Sequence, residues 1–229
     1  MEARIPVCIF AKPPRAGLVK TRLAAALGRE AAAELARAFL RDTWHAVSAL
    51  PWARPILATT EPMSCEIGLD GAEVWIQGPG DLGSRLERIL CSALNGHRSA
   101  IALGADTPGL PVRFLTGAKR ALESADSVIG PCDDGGFYIV GLTRCFDGIF
   151  REIPWSTAAT FEKTRDRFTA SGFSPVLLPR WFDVDTPKDL ARLADLIARH
   201  GIRAPETLRL LRSMNAETIR GEDRAARAD

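Results

Sequence analysis

Short, continuous apolar runs recur along the chain, and between them apolar residues return at helical spacing. RIPVCIFAK (4–12), RPILATT (54–60), AEVWIQG (72–78) and SAIALGAD (99–106) are runs of the first kind, each stopped by turn or polar residues. Runs of that length read as buried strands. DSVIGPCDDGGFYIVGL (126–142) gives two more around a DDGG turn, and SPVLLP (174–179) another. Helical spacing fills the intervals. From Thr21 to about Leu50, Leu35 and Phe39 share a face with Leu40, Trp44 and Val47 adjoining, and Pro51 ends the helix. Further helices are expected after the glycine-rich GPGDLG (78–83), over 112–125 behind Pro111, over 157–172, and over the apolar stripe of Leu190, Leu193 and Ile197.

Strands alternating with helices predict a three-layer α/β/α sandwich around a mostly parallel, Rossmann-like sheet. The GGFYIVGL strand follows its predecessor after only a turn, so it is expected to run antiparallel. Residues 1–202 read as a single domain, and the polar stretch 203–229 as a tail with one short helix before a flexible end. In open α/β sheets ligands bind beyond the carboxyl ends of the strands. Lys12, Asp106 and Asp134 all fall at such ends, which makes them candidates for one site.

Composition adds exclusions. The net charge of +2 favours neither nucleic acid nor a membrane surface as partner. No apolar run approaches the roughly 20 residues of a membrane span, and a cytoplasmic protein is the default. The five cysteines form no C-x-x-C pair. A zinc site or disulfide framework is therefore not expected, and Cys8 and Cys132 suit small buried hydrophobes. The three histidines stand near no G-x-S-x-G, which sets a triad hydrolase aside.

Local charge is more telling than net charge. No acidic residue lies between Ala3 and Arg29, whereas Arg4, Lys12, Arg15, Lys20, Arg22 and Arg29 are basic. In KPPRAGLVKTRL (12–23) a strand leads through a Pro/Gly loop into a helix, a layout that presents cations and backbone N–H groups to phosphate. A solvated basic loop is the plain alternative. Asp106, in GADTPGLP, can cap a turn or hold a metal. In FDVDTPKDL (182–190), Thr186 and Asp189 have capping-box spacing with Pro187 between them. That leaves Asp183 and Asp185 on one side of an extended segment, opposite Phe182 and Val184. With Asp106 they would make a three-aspartate site for Mg²⁺ or Mn²⁺. Two such carboxylates repel when no cation lies between them, so Asp185→Asn is expected to leave the metal-free fold unharmed. In CDDGGFYIVGL (132–142), Asp134, Gly135 and Gly136 fit a hairpin turn and a ligand contact about equally well. Arg85, in GDLGSR, would line a nucleotide or simply begin a helix capped by Asp81.

FAKPPRAGLVKTRLAAALG, GADTPGLP, DDGGFYIVGL, WST (155–157) and FDVDTPKDL occur in an order that resembles a bacterial family of GT-A-type glycosyltransferase-like proteins. Its members carry names such as arsenosugar-biosynthesis or radical-SAM/selenodomain-associated glycosyltransferase. They lie within the nucleotide-diphospho-sugar transferase superfamily, and the resemblance covers about residues 5–195. The pattern is also similar to 2-phospholactate guanylyltransferases and, more loosely, to molybdenum-cofactor nucleotidyltransferases.

The resemblance implies a GT-A fold and a metal-dependent transferase that uses a nucleotide sugar or a nucleoside triphosphate with a small-molecule acceptor. It places the metal motifs on Asp106, Asp183 and Asp185, and phosphate contacts on Lys12, Lys20 and Arg22. Arg15, Arg85, Gly135 and Gly136 are further candidates for the nucleotide side. Lys20 and Asp134 are the catalytic candidates, Lys20 for stabilising charge and Asp134 as a base. Gly104 stands where a second aspartate would complete the usual glycosyltransferase motif, which keeps nucleotidyl transfer open. A non-catalytic nucleotide-sugar-binding protein is the alternative of another class.

Overall fold

The first apolar run becomes β1 (Ile5–Ala11), an interior strand of a seven-stranded sheet. Its side chains alternate, as a two-residue period requires. Val7, Ile9 and Ala11 enter the core on one face, and Cys8 and Phe10 on the other. The computed structural model describes residues 4–63, 67–69 and 71–214. After β1 come α1 (Thr21–Leu27), α2 (Arg29–Ser48), β2 (Ala53–Thr59), β3 (Val74–Ile76), α3 (Leu82–Leu94), β4 (Ala100–Gly104) and α4 (Val112–Ala121). Then follow β5 (Ser127–Pro131), β6 (Phe137–Leu142), α5 (Thr160–Ala170), β7 (Pro175–Leu177), α6 (Pro187–His200) and a helix over 205–214, α7.

The strand order is β3-β2-β1-β4-β6-β5-β7. Strand β6 runs antiparallel to both β4 and β5, and every other pairing is parallel. The expected sandwich with one antiparallel strand is therefore the observed fold. Helices α2 and α4 pack on one face through Leu40, Val47, Phe114 and Leu115. On the other face, α3 and α5 supply Leu86, Ile89, Leu90, Phe161 and Phe168. A third, smaller core joins Leu23 of α1, Leu35 and Phe39 of α2, and Leu190 and Leu193 of α6. Helix α2 is thus buried on two sides, toward the sheet and toward α6.

Two expectations need revision, and a third is filled in. The single helix from Thr21 is broken at Gly28, whose φ of 88° lies in the region only glycine adopts freely. The short helix expected after 203 is α7. Asp42 on α2 accepts hydrogen bonds from the Glu206 N–H, the Thr207 N–H and the Thr207 hydroxyl at 2.9, 2.9 and 2.6 Å, capping α7. Leu210 and Leu211 then pack on the small core; the flexible end expected beyond falls outside the described residues. Cys91 and Cys145 form a disulfide, against the expectation of none, because α3 and the loop after β6 meet with their Cα atoms 5.4 Å apart. Cys8 and Cys132 are free and buried as expected. Among the described residues no helix is long and apolar enough to cross a membrane.

Candidate nucleotide-phosphate site

The parallel strands end at one edge of the sheet. Lys12 follows β1, Gln77 follows β3, Asp106 lies just past β4 and Cys132 just past β5. Segment 181–185 runs extended along this edge. The Trp181 N–H donates to the Pro131 carbonyl (3.1 Å), the Asp133 N–H to the Trp181 carbonyl (3.0 Å), and the Val184 N–H to the Asp106 carbonyl (2.9 Å). Phe182 and Val184 point into the small core, so Asp183 and Asp185 project the other way, beside Asp106. The alternation read from the sequence predicted the shared side; the backbone bond to Asp106 is what makes the three aspartates neighbours.

Lys20 occupies the middle of this group. Its ammonium lies 2.8 Å from an Asp106 oxygen and 2.8 Å from Asp185 Oδ1. The lysine side chain is only 3% exposed, whereas those of Asp106 and Asp185 are 55% and 41% exposed. Behind the ammonium lies the Phe39 ring, 5.6 Å away at its centroid. Burial works against the charge on Lys20, but the two aspartates outweigh it and hold the ammonium above its ordinary value. The Lys20 backbone is left-handed, with φ 47° and ψ 47°, at the N-cap of α1. An L-residue there is strained, and such strain persists where contacts over-determine it.

Asp183 sits deeper. The Cys132 thiol donates to its Oδ1 at 3.4 Å. Burial, then the charges of Asp106, Asp134 and Asp185, push its carboxyl up to about 7 against the opposing pull of Lys20. The same surroundings drive the Cys132 thiol far above its usual range, burial first and Asp183 next, so it is no nucleophile. Cys132 and Phe39 were missed as site residues. For Cys132 the signal was its place directly before the acidic, glycine-rich turn; Phe39 carried none.

The remaining candidates are placed as follows. Arg15 is exposed and pairs with Glu61 at 2.9 Å, so the basic loop is not free of counter-charge: two of its four cations are already paired. Lys12 and Arg22 are exposed and make no ion pair among the described residues. Arg85 lies in the first turn of α3, with its Nε buried and unpartnered; Asp81 caps that helix through the Ser84 N–H at 2.8 Å, as expected. None of these three cations bonds to the aspartate group. Asp134 is exposed, and its Oδ1 closes the turn by accepting from the Gly136 N–H at 2.8 Å. Its neighbour Asp133 pairs with Arg192 of α6 at 2.7 Å. Gly135 has φ 89°, and a Cβ there would stand 2.2 Å from the Ala158 carbonyl oxygen. Backbone packing thus accounts for Gly135. A Cβ on Gly136 would meet the Asp134 carboxylate at 3.2 Å.

Mg²⁺ is commonly held by one or two carboxylates together with substrate phosphates. Asp106 and Asp185 fit that chemistry, since both already reach a single cation. Among the described residues no group of three acidic, histidine or cysteine side chains is arranged to hold a metal ion by itself. Asp183, the third aspartate of the expected site, lies beside that pair with its Oδ1 accepting from the Cys132 thiol.

The family model described as an uncharacterized protein conserved in bacteria (DUF2064) matches residues 46–157. The family resemblance is borne out. A solved structure from Desulfovibrio desulfuricans G20, named as a candidate nucleotide-diphospho-sugar transferase, superposes with a TM-score of 0.82 at 27% identity, over 93% of this chain and 96% of that one. The 4-diphosphocytidyl-2C-methyl-D-erythritol synthase of Anaerococcus prevotii DSM 20548 gives a TM-score of 0.55 at 12% identity, over 86% and 97%. A CMP:2-keto-3-deoxy-manno-octonic acid synthetase complexed with CTP gives 0.55 at 13% identity, over 86% and 100%. The last two share the fold. None of the curated proteins matches the chain.

Proposed function

We propose that this chain is a transferase that takes a nucleotide sugar at the carboxyl edge of its sheet, with a divalent cation held by Asp106 and Asp185. The observation that carries the reading is the buried ammonium of Lys20 clasped by two half-exposed carboxylates at the strand ends. A cation position open to solvent and a lysine within reach of phosphate coincide there. The named relative from Desulfovibrio desulfuricans supports the substrate class.

A bound Mg²⁺ or Mn²⁺ would supply charge neutralisation at the phosphate oxygens. The chain's own residues do the rest. Lys20 stabilises charge on the leaving phosphate. Lys12 in the loop and Arg22 in the first turn of α1, with no ion pair among the described residues, attract the phosphates. Asp134, with one carboxylate oxygen outside its turn, is the candidate base for an acceptor hydroxyl. Nucleotidyl transfer is a second reading, favoured by one observation: the cation pair draws one aspartate from the β4 end and one from segment 181–185, with Gly104 where a local second carboxylate would stand.

The experiment is product analysis after incubation with nucleotide sugars and nucleoside triphosphates in Mn²⁺. Release of a nucleoside diphosphate establishes sugar transfer, and release of pyrophosphate establishes the second reading. Metal-independent nucleotide binding without turnover of any donor would instead mark a binding protein.

A further inference from the structure

The Lys20 ammonium lies between Asp106 and Asp185, in contact with both carboxylates. We infer that Lys20 is an internal counter-ion: it fills the cation position until a divalent ion arrives, and then swings off the carboxylates toward phosphate. The inference rests on the reading above and gives that site an order of events.

Four observations converge. The ammonium lies inside and the carboxylates face solvent, at 3% against 55% and 41% exposure, so an ion can approach the oxygens from the side opposite Lys20. An ammonium and a dication repel at such range, and both would draw on the same two carboxylates. An ammonium has three donors; two are spent on Asp106 and Asp185, and beside them lies the face of Phe39, so among the described residues no third polar anchor fixes the lysine. Finally, the left-handed backbone of Lys20 ends the loop after β1. A strained residue held by two ion pairs is free to relax once those pairs are broken.

Metal and phosphate then bind as a coupled pair. The ion frees the lysine, and the lysine meets the negative charge that the ion brings with it. Without a metal, Lys20 protects the aspartates from one another and is itself withheld from phosphate.

Two measurements test this. The first is Mn²⁺ binding to the nucleotide-free protein, followed by the electron paramagnetic resonance of the unbound ion. Lys20→Met should bind Mn²⁺ at least tenfold more tightly than the wild type, Lys20→Arg should not, and Asp106→Asn should bind it at least tenfold more weakly than the wild type. The second uses the unmodified protein and so does not depend on a variant folding. Amine acylation read by mass spectrometry should proceed several-fold faster at Lys20 when Mn²⁺ is added, with exposed Lys12 as the internal reference. Asp106-dependent Mn²⁺ binding that leaves Lys20 acylation and the Lys20→Met affinity unchanged would overturn the counter-ion alone. No Mn²⁺ binding by any form would overturn it together with the metal-dependent reading.

Discussion

A buried lysine with two carboxylate partners makes each partner matter to stability. Asp185→Asn would leave the Lys20 ammonium desolvated with one counter-ion. Removing one partner of such a group costs about 1–3 kcal/mol, toward the lower end here because Asp185 stays half-exposed. The metal-free variant should therefore unfold at lower urea than the wild type, the reverse of what carboxylate repulsion alone predicts. Equal urea midpoints would mean that the ion pair adds nothing. Asp183 carries a pH dependence. Its folded carboxyl titrates near 7, above the ordinary 3.8. Between those values the folded protein holds a proton that the unfolded chain has released, so stability falls as pH rises through that window and levels off above it. Asp183→Asn should flatten the decline between pH 5 and pH 8 in urea titrations of the metal-free protein. Parallel profiles would place the raised affinity for protons elsewhere.

Two elements depend on single contacts that the local sequence does not announce. The turn between β5 and β6 is pressed against Ala158 at Gly135. Gly135→Ala should cost about 1–3 kcal/mol, through the overlap and the positive φ, or else displace the 155–158 loop. A thermal melt matching the wild type would show that the loop yields freely. Helix α7 is tied to α2 through Asp42. Asp42→Ala should remove hydrogen-exchange protection from 205–214 while the strands keep theirs. Loss of protection throughout would make α7 part of the main folding unit.

At this scale the limits of the sequence are plain. Strand runs and the Thr186–Asp189 capping box were legible because their signals are local, and the box is present as read. Gly28 interrupting a helix was overlooked because the apolar stripe continues across it. The Asp42 cap spans 165 residues, as does the pair of Lys20 with Asp185. No periodicity encodes such contacts. The basic loop was visible as charge, but Glu61 opposite Arg15 and the aspartates opposite Lys20 belong to distant strand ends.

For the molecule as a whole, the sheet gathers the ends of its parallel strands at one edge, and the acidic and basic segments meet there because topology brings them together. Cys91–Cys145 lies elsewhere, tying α3 to the loop after β6 across 54 residues. Reduction should lower stability by about 2–4 kcal/mol and leave nucleotide affinity unchanged; a change in affinity would connect the disulfide to the site. The central claim concerns the edge itself, that it binds nucleotide phosphates through a cation held by Asp106 and its partner aspartate. Calorimetry with nucleoside diphosphates and triphosphates, with and without Mn²⁺, on the wild type and on Asp106→Ala tests it most directly. The account predicts binding to the wild type that requires Mn²⁺ and is lost in a variant that remains folded. Nucleotide affinity indifferent to both Mn²⁺ and Asp106 would contradict it.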